Sequence, residues 1–220
     1  FAVKYVKKNT KVIDLGASNA NYLTVLKKEK KCFLKTVNQV PFEKNLNVDE
    51  EEIINLNNSL PKDLEKFDYV FMLDIIEHLK DPENFLKNFY NKLNQNQIII
   101  ASTGNIAFFI IRIMLFFGYF NYGNRGILDK THTRLFTFSS FKKLFINHFE
   151  IIKINGIPAP YPLALGNNFF SKSLLKINIL LIKVSKSIFS YQIIFVLKPK
   201  SSLKNILKET LHYSKKIKLW

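Results

Sequence analysis

A chain of 220 residues, 47% of them hydrophobic, is long enough for one α/β domain with a full core and a modest appendage. Its single cysteine, Cys32, excludes a disulfide framework and points to a reducing, cytosolic setting. The formal charge of +16 favours anionic partners. Lysine, asparagine, isoleucine and phenylalanine are abundant together, however, as AT-rich coding bias produces, and no compact basic motif with interleaved aromatics accompanies the charge. Nucleic acid is therefore not the expected partner. The longest apolar stretch, residues 106–120, contains Arg112 and falls short of the ~20 residues that span a bilayer. No signal-peptide pattern is legible in a chain that opens on Phe1.

In chain order, "KVIDL" (11–15) reads as a β-strand, followed by a tight turn and a helix over 18–31 with apolar residues at helical spacing and lysines in its last turn. "KCFLKTV" (31–37) is the next strand. Residues 41–67 are polar and weakly patterned; a short helix over the acidic cluster is expected there, and no third strand stands out. "DYVFMLD" (68–74) is an apolar run suited to a strand buried on both faces. A helix over 81–94 is punctuated by Asp81 as cap, Pro82 in the first turn and Glu83 at the positive end of the dipole. "QIIIAST" predicts another strand, 106–120 a helix, 121–137 an irregular loop, 138–149 a helix and 150–157 a strand. Residues 158–168 read as a proline-stiffened extended connection, 171–189 as an amphipathic helix and 191–199 as a last strand. The organisation is one domain over 1–199, with a basic helix or tail over 200–220. Strands alternating with helices imply a doubly wound, mostly parallel sheet covered on both faces, with ligands beyond the carboxyl ends of its strands.

The residues at those ends are 14–20, Asn38, 74–78 and 103–105. Gly16 follows Asp14 in "VIDLGASNA", where a residue without a side chain lets the backbone turn sharply and approach a ligand. The helix that follows offers free N–H groups to an anion. Ser18 and Ala20 stand where further glycines are usual. Asp74 and His78, four apart, fit a hydrogen-bonded pair on a helical turn, and Glu77 is expected to be solvated or paired with a lysine.

"DYVFMLDIIEHLKDPENFL" resembles the fourth-strand motif of class I S-adenosylmethionine-dependent methyltransferases, in which a strand ends in an acidic residue followed by "EHL" and a capped helix. "VIDLGASNA" is similar to their first motif, with two later glycines replaced. The stretch from 105 to 137 and the closing "SIFSYQIIFVLKP" resemble a bacterial branch associated with glycosyltransferases and glycan biosynthesis. The resemblance covers most of 12–199. It implies a seven-stranded Rossmann-like sheet with the last strand antiparallel, S-adenosylmethionine as cofactor, and no metal. It also implies cofactor contacts at Asp14, Leu15, Gly16, Ala17, Asn38, Asp49, Asp74 and Ile75. Asp14 would hold the ammonium, Asn38 would replace the acidic residue that accepts both ribose hydroxyls, and Asp49 would take the adenine amino group.

The loop "GILDKTHTRLFT" concentrates Asp129, His132 and Arg134 in an irregular segment, the kind of place where a scaffold carries function. Methyl transfer to an alcohol needs the nucleophile aligned and its proton accepted; His132 is the candidate base, with Arg134 and Asp129 beside it. The same three residues also fit a purely structural tie between loop and sheet edge. Tyr122 and Arg125 are candidates for contact with a sugar or phosphate. A glycan or other small-molecule hydroxyl is the expected acceptor. The lysine-lined helix at 171–189 fits either packing on the sheet or peripheral contact with the inner face of an anionic membrane. Two alternatives stand beside catalysis: a degenerate methyltransferase fold serving as a binding or assembly module, and a basic peripheral membrane protein. The patterning leaves the oligomeric state open.

Overall fold

The computed structural model describes residues 1–17, 21–41 and 48–201. The expected tail over 200–220 and the turn at Ser18 and Ala20 lie almost wholly outside them. The sheet has seven strands: β1 (Lys11–Leu15), β2 (Phe33–Asn38), β3 (Glu50–Ile53), β4 (Tyr69–Leu73), β5 (Ile98–Gly104), β6 (Phe149–Ile157) and β7 (Gln192–Pro199). Their spatial order is β3-β2-β1-β4-β5-β7-β6. β1 to β5 are mutually parallel, and β7 runs antiparallel between β5 and β6. This is the doubly wound sheet that the alternation of elements predicts, with the antiparallel last strand that the family resemblance implies.

Alternation along the central strands builds the two cores. Ile13, Val70, Met72, Ile99, Ala101, Phe195 and Leu197 face one side. There α2 (Pro82–Tyr90) and α4 (Phe138–Phe145) cover them with Phe85, Phe89, Phe141 and Phe145. Val12, Leu34, Phe71, Ile100 and Ile194 face the other, under Leu23 and Leu26 of α1 (Asn21–Lys28). Both helix starts on the first side are capped from within the chain: Asp81 accepts from Asn84 N, and Thr137 forms a reciprocal capping box with Ser140.

Three expectations are corrected. The acidic cluster at 50–53 is not a helix but the edge strand β3, held parallel to β2, with the Lys35 ammonium bonded to Glu52 and to Asp63 at 2.8 and 2.9 Å. Charged side chains suit an edge, where one flank of the ladder meets water. The helix expected over 106–120 is the shorter α3 (Phe109–Phe116), ended by Gly118 at φ +78°, a left-handed conformation that a glycine reaches without strain. The connection at 158–168 contains one helical turn, α5 (Tyr161–Leu165), and the long helix beyond it is divided at Ser185 into α6 (Phe169–Val184) and α7 (Lys186–Phe189). Among the described residues no helix is long and apolar enough to cross a membrane.

The aromatic rings of Phe141, Phe145 and Phe195 pack at centroid distances of 5.0 to 6.2 Å in a fully buried group. Phe141→Ala is expected to cost ~3–5 kcal/mol in urea denaturation. Phe116→Ala, at a position 84% exposed, is expected to change the same measurement by less than about 0.5 kcal/mol.

Candidate active site

The parallel strands bring Asp14, Asn38 and Asp74 to the carboxyl edge of the sheet, at the adjoining ends of β1, β2 and β4. Gly16 turns the chain out of β1 at φ +79°, while its N–H donates to Val37 O at 2.7 Å and ties the ends of β1 and β2. A Cβ at this position would lie 2.5 Å from Ile75 Cδ1, so both the backbone conformation and the packing of Ile75 require glycine. Leu15 and Ala17 bury their side chains in the two cores, which leaves their backbone for a ligand.

The Asp14 side chain is buried. Its Oδ2 accepts from the hydroxyl of Tyr22, the second residue of α1, and its Oδ1 is buried without a partner among the described residues. Burial raises its pKa from 3.8 to about 7, with the Tyr22 hydrogen bond acting in the opposite direction. Asn38 is also buried, with Nδ2 unpartnered among the described residues, so its carboxamide keeps a donor where a carboxylate would have only acceptors.

Asp74 occupies the left-handed region at φ +54°, a conformation that costs a non-glycine residue ~1–2 kcal/mol. It is held there on three sides. Its N–H donates to Ser102 O at 3.1 Å, its Oδ1 accepts from Ser102 Oγ at 2.8 Å, and its Oδ2 accepts from Gln192 Nε2. The ends of β4, β5 and β7 are thereby joined at one exposed carboxylate.

Other positions depart from expectation. Asp49 lies at the start of β3, where it pairs with Lys27 and accepts from Leu34 N at 2.8 Å. Because β2 and β3 are parallel, that is the opposite edge of the sheet from Gly16, so Asp49 is removed from the candidate cofactor contacts. His78 does not pair with Asp74. Its Nδ1 stands 3.3 Å from Thr131 O and 3.2 Å from Thr131 Oγ1, and its ring meets His132 edge-on at 4.7 Å. Glu77 is neither solvated nor paired with a lysine. It is buried against the end of β5, where Oε1 accepts from Gly104 N at 3.3 Å, and desolvation together with the charge of Asp74 raises its pKa to about 8.

The 127–134 loop lies over these strand ends through hydrogen bonds from Thr133 N and Arg134 N to Glu77 O, and from Thr133 Oγ1 to Glu77 O and Leu79 O. Its three candidate catalytic residues do not form one chain of contacts. Asp129 accepts from the N–H and hydroxyl of its neighbour Thr131. Arg134 pairs at the surface with Glu83 at the start of α2. His132 places Nδ1 2.9 Å from Ile127 O; a carbonyl only accepts, so Nδ1 carries a proton, and in the neutral ring Nε2 is the nitrogen with the lone pair.

Beside this loop is a cavity of about 320 Å³ walled by Phe108 and Ile111, by Arg125 and Ile127, and by Tyr161 and Tyr191. Tyr191 precedes Gln192, the donor to Asp74, which connects the cavity wall to the end of β4. Neither the cavity nor the partnerships of Ser102 and Gln192 with Asp74 follow from local sequence, because each joins segments far apart in the chain.

A family model described as a methyltransferase domain matches residues 1–148. The chain belongs to that family and has the class I S-adenosylmethionine-dependent methyltransferase fold. A comparison with curated proteins returns no match. Among solved structures, the chain is similar to a SAM-dependent methyltransferase from Archaeoglobus fulgidus, with 18% identity, 90% of each chain covered and a TM-score of 0.58. It is also similar to a complex of the Haloferax volcanii Trm112 methyltransferase activator with a putative methyltransferase, at 13% identity over 91% of this chain and 87% of that one, TM-score 0.57. A third likeness is to coclaurine N-methyltransferase, at 14% identity over 88% of this chain and 66% of that one, TM-score 0.53. At these identities the likenesses establish the fold.

The cofactor that goes with this fold is S-adenosylmethionine, and the strand ends fit it: a buried acceptor at Asp14 and a buried donor at Asn38, both without partners among the described residues, flank the glycine turn. In the free protein, burial favours the protonated forms of Asp14 and Glu77, so their contribution to stability is complete below about pH 4 and is lost as pH rises towards 7 and 8. Thermal unfolding at pH 5, 6.5 and 8 is expected to show a shallower decline for Asp14→Asn than for the unaltered protein. Parallel curves would contradict the assigned burial of this carboxyl.

Proposed function

We propose that the chain is an S-adenosylmethionine-dependent methyltransferase that methylates a hydroxyl of a saccharide or related glycan intermediate carrying an apolar portion. The observation that carries the reading is the pair of polar atoms without a partner among the described residues, Asp14 Oδ1 and Asn38 Nδ2, at neighbouring strand ends beside Gly16. The similar coclaurine N-methyltransferase was solved with S-adenosylhomocysteine bound, in keeping with this reading.

When bound, the cofactor supplies a methyl group on a sulfonium for in-line displacement by the acceptor oxygen. Asp14 holds the ammonium as a carboxylate, its proton leaving when the cation arrives. The backbone of Leu15, Gly16 and Ala17 provides the close approach, Asn38 contacts the ribose, and Asp74 and Ile75 form the rim. His132 is the proton acceptor: Nδ1–H held on Ile127 O keeps Nε2 basic for the acceptor hydroxyl. Arg134 and Asp129, engaged with Glu83 and Thr131, hold the loop that carries it. The apolar walls of the cavity take the apolar portion of the acceptor, while Arg125 and the two tyrosines supply polar contacts. The protein works in the cytoplasm, at the inner face of the membrane where such intermediates are carried.

Isothermal titration with S-adenosylmethionine is expected to give saturable binding, strengthened by Asn38→Asp through a second acceptor for the ribose hydroxyls, by about fivefold or more. His132→Ala is expected to leave that binding intact and to lower methyl transfer to a glycan acceptor by ~10²-fold or more. A second reading, a non-catalytic binding module, is favoured by Ile75 filling the space at Gly16. Absence of heat with both the unaltered protein and Asn38→Asp would decide for it.

A further inference from the structure

The helices over the β5 and β7 ends of the sheet leave a broad apolar surface in solvent. In α6 the residues turned inward are Ser171, Asn178 and Ile182, a stripe at spacings of seven and four. Two of the three are polar and bind backbone: Asn178 accepts from Ala159 N at 3.0 Å and donates to Phe189 O at 2.9 Å, while Ser171 Oγ donates to Gly166 O at 2.6 Å. At 3.6 residues per turn, Phe169, Leu180 and Val184 share the opposite face, with Phe170 and Ile177 beside them; they are 87, 60, 80, 64 and 52% exposed. Lys172, Lys176 and Lys183 form an adjoining exposed row. Of the two readings that the sequence allows for this helix, packing of its apolar side on the sheet is thus not the one adopted.

The same pattern holds across the cap. α3 buries only Ile111, and Phe116, Phe117, Tyr119, Phe120 and Tyr122 are all exposed at or beyond its end. Leu163 on α5 is 87% exposed. Surfaces of this kind mark contact with a partner or a membrane. Charge decides between a second copy of the chain and a lipid surface. Residues 102–128 and 158–189 contain Arg112, Arg125, Lys172, Lys176, Lys183 and Lys186 and no aspartate or glutamate. Two such faces brought together would repel, whereas an anionic bilayer would attract them.

We propose that the exposed face of α3, the 117–122 segment, α5 and α6 is a docking surface for an anionic phospholipid membrane, with its aromatic side chains entering the interface and the exposed ammonium groups of Lys172, Lys176 and Lys183 meeting lipid phosphates. The proposal rests on the membrane-side location stated above and adds the surface responsible for it. The cavity assigned to the acceptor is walled by α3 and α5, so docking brings its walls to the membrane.

The test is co-sedimentation of the full chain with phosphatidylcholine vesicles, with and without phosphatidylglycerol. Binding is expected only with phosphatidylglycerol. It should fall on the order of a hundredfold in Lys172→Gln/Lys176→Gln/Lys183→Gln. It should fall at least tenfold in Phe116→Ser/Phe117→Ser/Phe169→Ser/Phe170→Ser, with the basic tail untouched. Cofactor titration of the same variants should match the unaltered protein, which separates this surface from the methyltransferase reading. Absence of binding by the unaltered protein overturns both the surface and the membrane-side location. Undiminished binding by the phenylalanine variant overturns the surface alone. A dimer in sedimentation equilibrium that the phenylalanine variant dissolves overturns the lipid in favour of a second copy.

Discussion

Everything at the carboxyl edge of this sheet is organised around one carboxyl group cut off from water. Asp14 is the fourth residue of a five-residue strand whose other inner side chains are aliphatic, and isolated ionisation in such surroundings is costly. The fold answers part of that cost with the hydroxyl of Tyr22 and leaves one oxygen open. A group held near neutrality in this way changes its charge when a cation arrives, and the strand end next to it turns at a glycine whose missing side chain makes room for Ile75. Binding chemistry and packing therefore meet at the same few atoms, the usual condition of a site that uses a perturbed carboxyl.

The second half of the edge is held differently. Asp74 remains in a left-handed conformation because β5 and β7 both bond to it, and Glu77 fills the space beneath the loop that carries His132. The cap above β5 is likewise secured by polar links: Asn105 donates to Ser187 O and Ser190 O, and Asn178 bonds backbone on both sides. Hydrogen bonds to backbone position these helices without using up their apolar side chains. A small apolar cluster of Phe108, Ile111, Ile127 and Ala159 adds to these links, while the larger cores on either face of the sheet are held by apolar packing.

Much of the architecture was legible in the order of residues. The run at 69–73 has the continuous apolar character of a strand covered on both faces, those at 11–15 and 98–104 carry β-rich apolar segments, and Asp81 with Pro82 marks the start of α2. β3 was not legible, because an edge strand of three glutamates and one isoleucine lacks apolar alternation and owes its conformation to pairing with β2. Of the candidate site, Asp14, Gly16, Asn38 and Asp74 follow from their position at strand ends. Asp49 was misassigned because its register against β2 was unknown, and a parallel pairing sends the start of a strand to the far edge. Asp129, His132 and Arg134 are close in sequence, yet in an irregular loop neighbours along the chain point to different partners.

Periodicity and punctuation along the chain were sufficient for most element types, which depend on interactions within a few residues, and the alternation of strands with helices was sufficient for the parallel class of the sheet and the strand ends that face a ligand. Three-dimensional packing was needed for the partner of Asp14, the burial of Glu77, the 118-residue link from Asp74 to Gln192, and the outward turn of the apolar stripe of α6. Helical spacing defines which side chains of α6 share a face. Which face turns inward is set by the backbone groups at 159 and 189 that Asn178 satisfies, and those are brought to it only when the chain has folded.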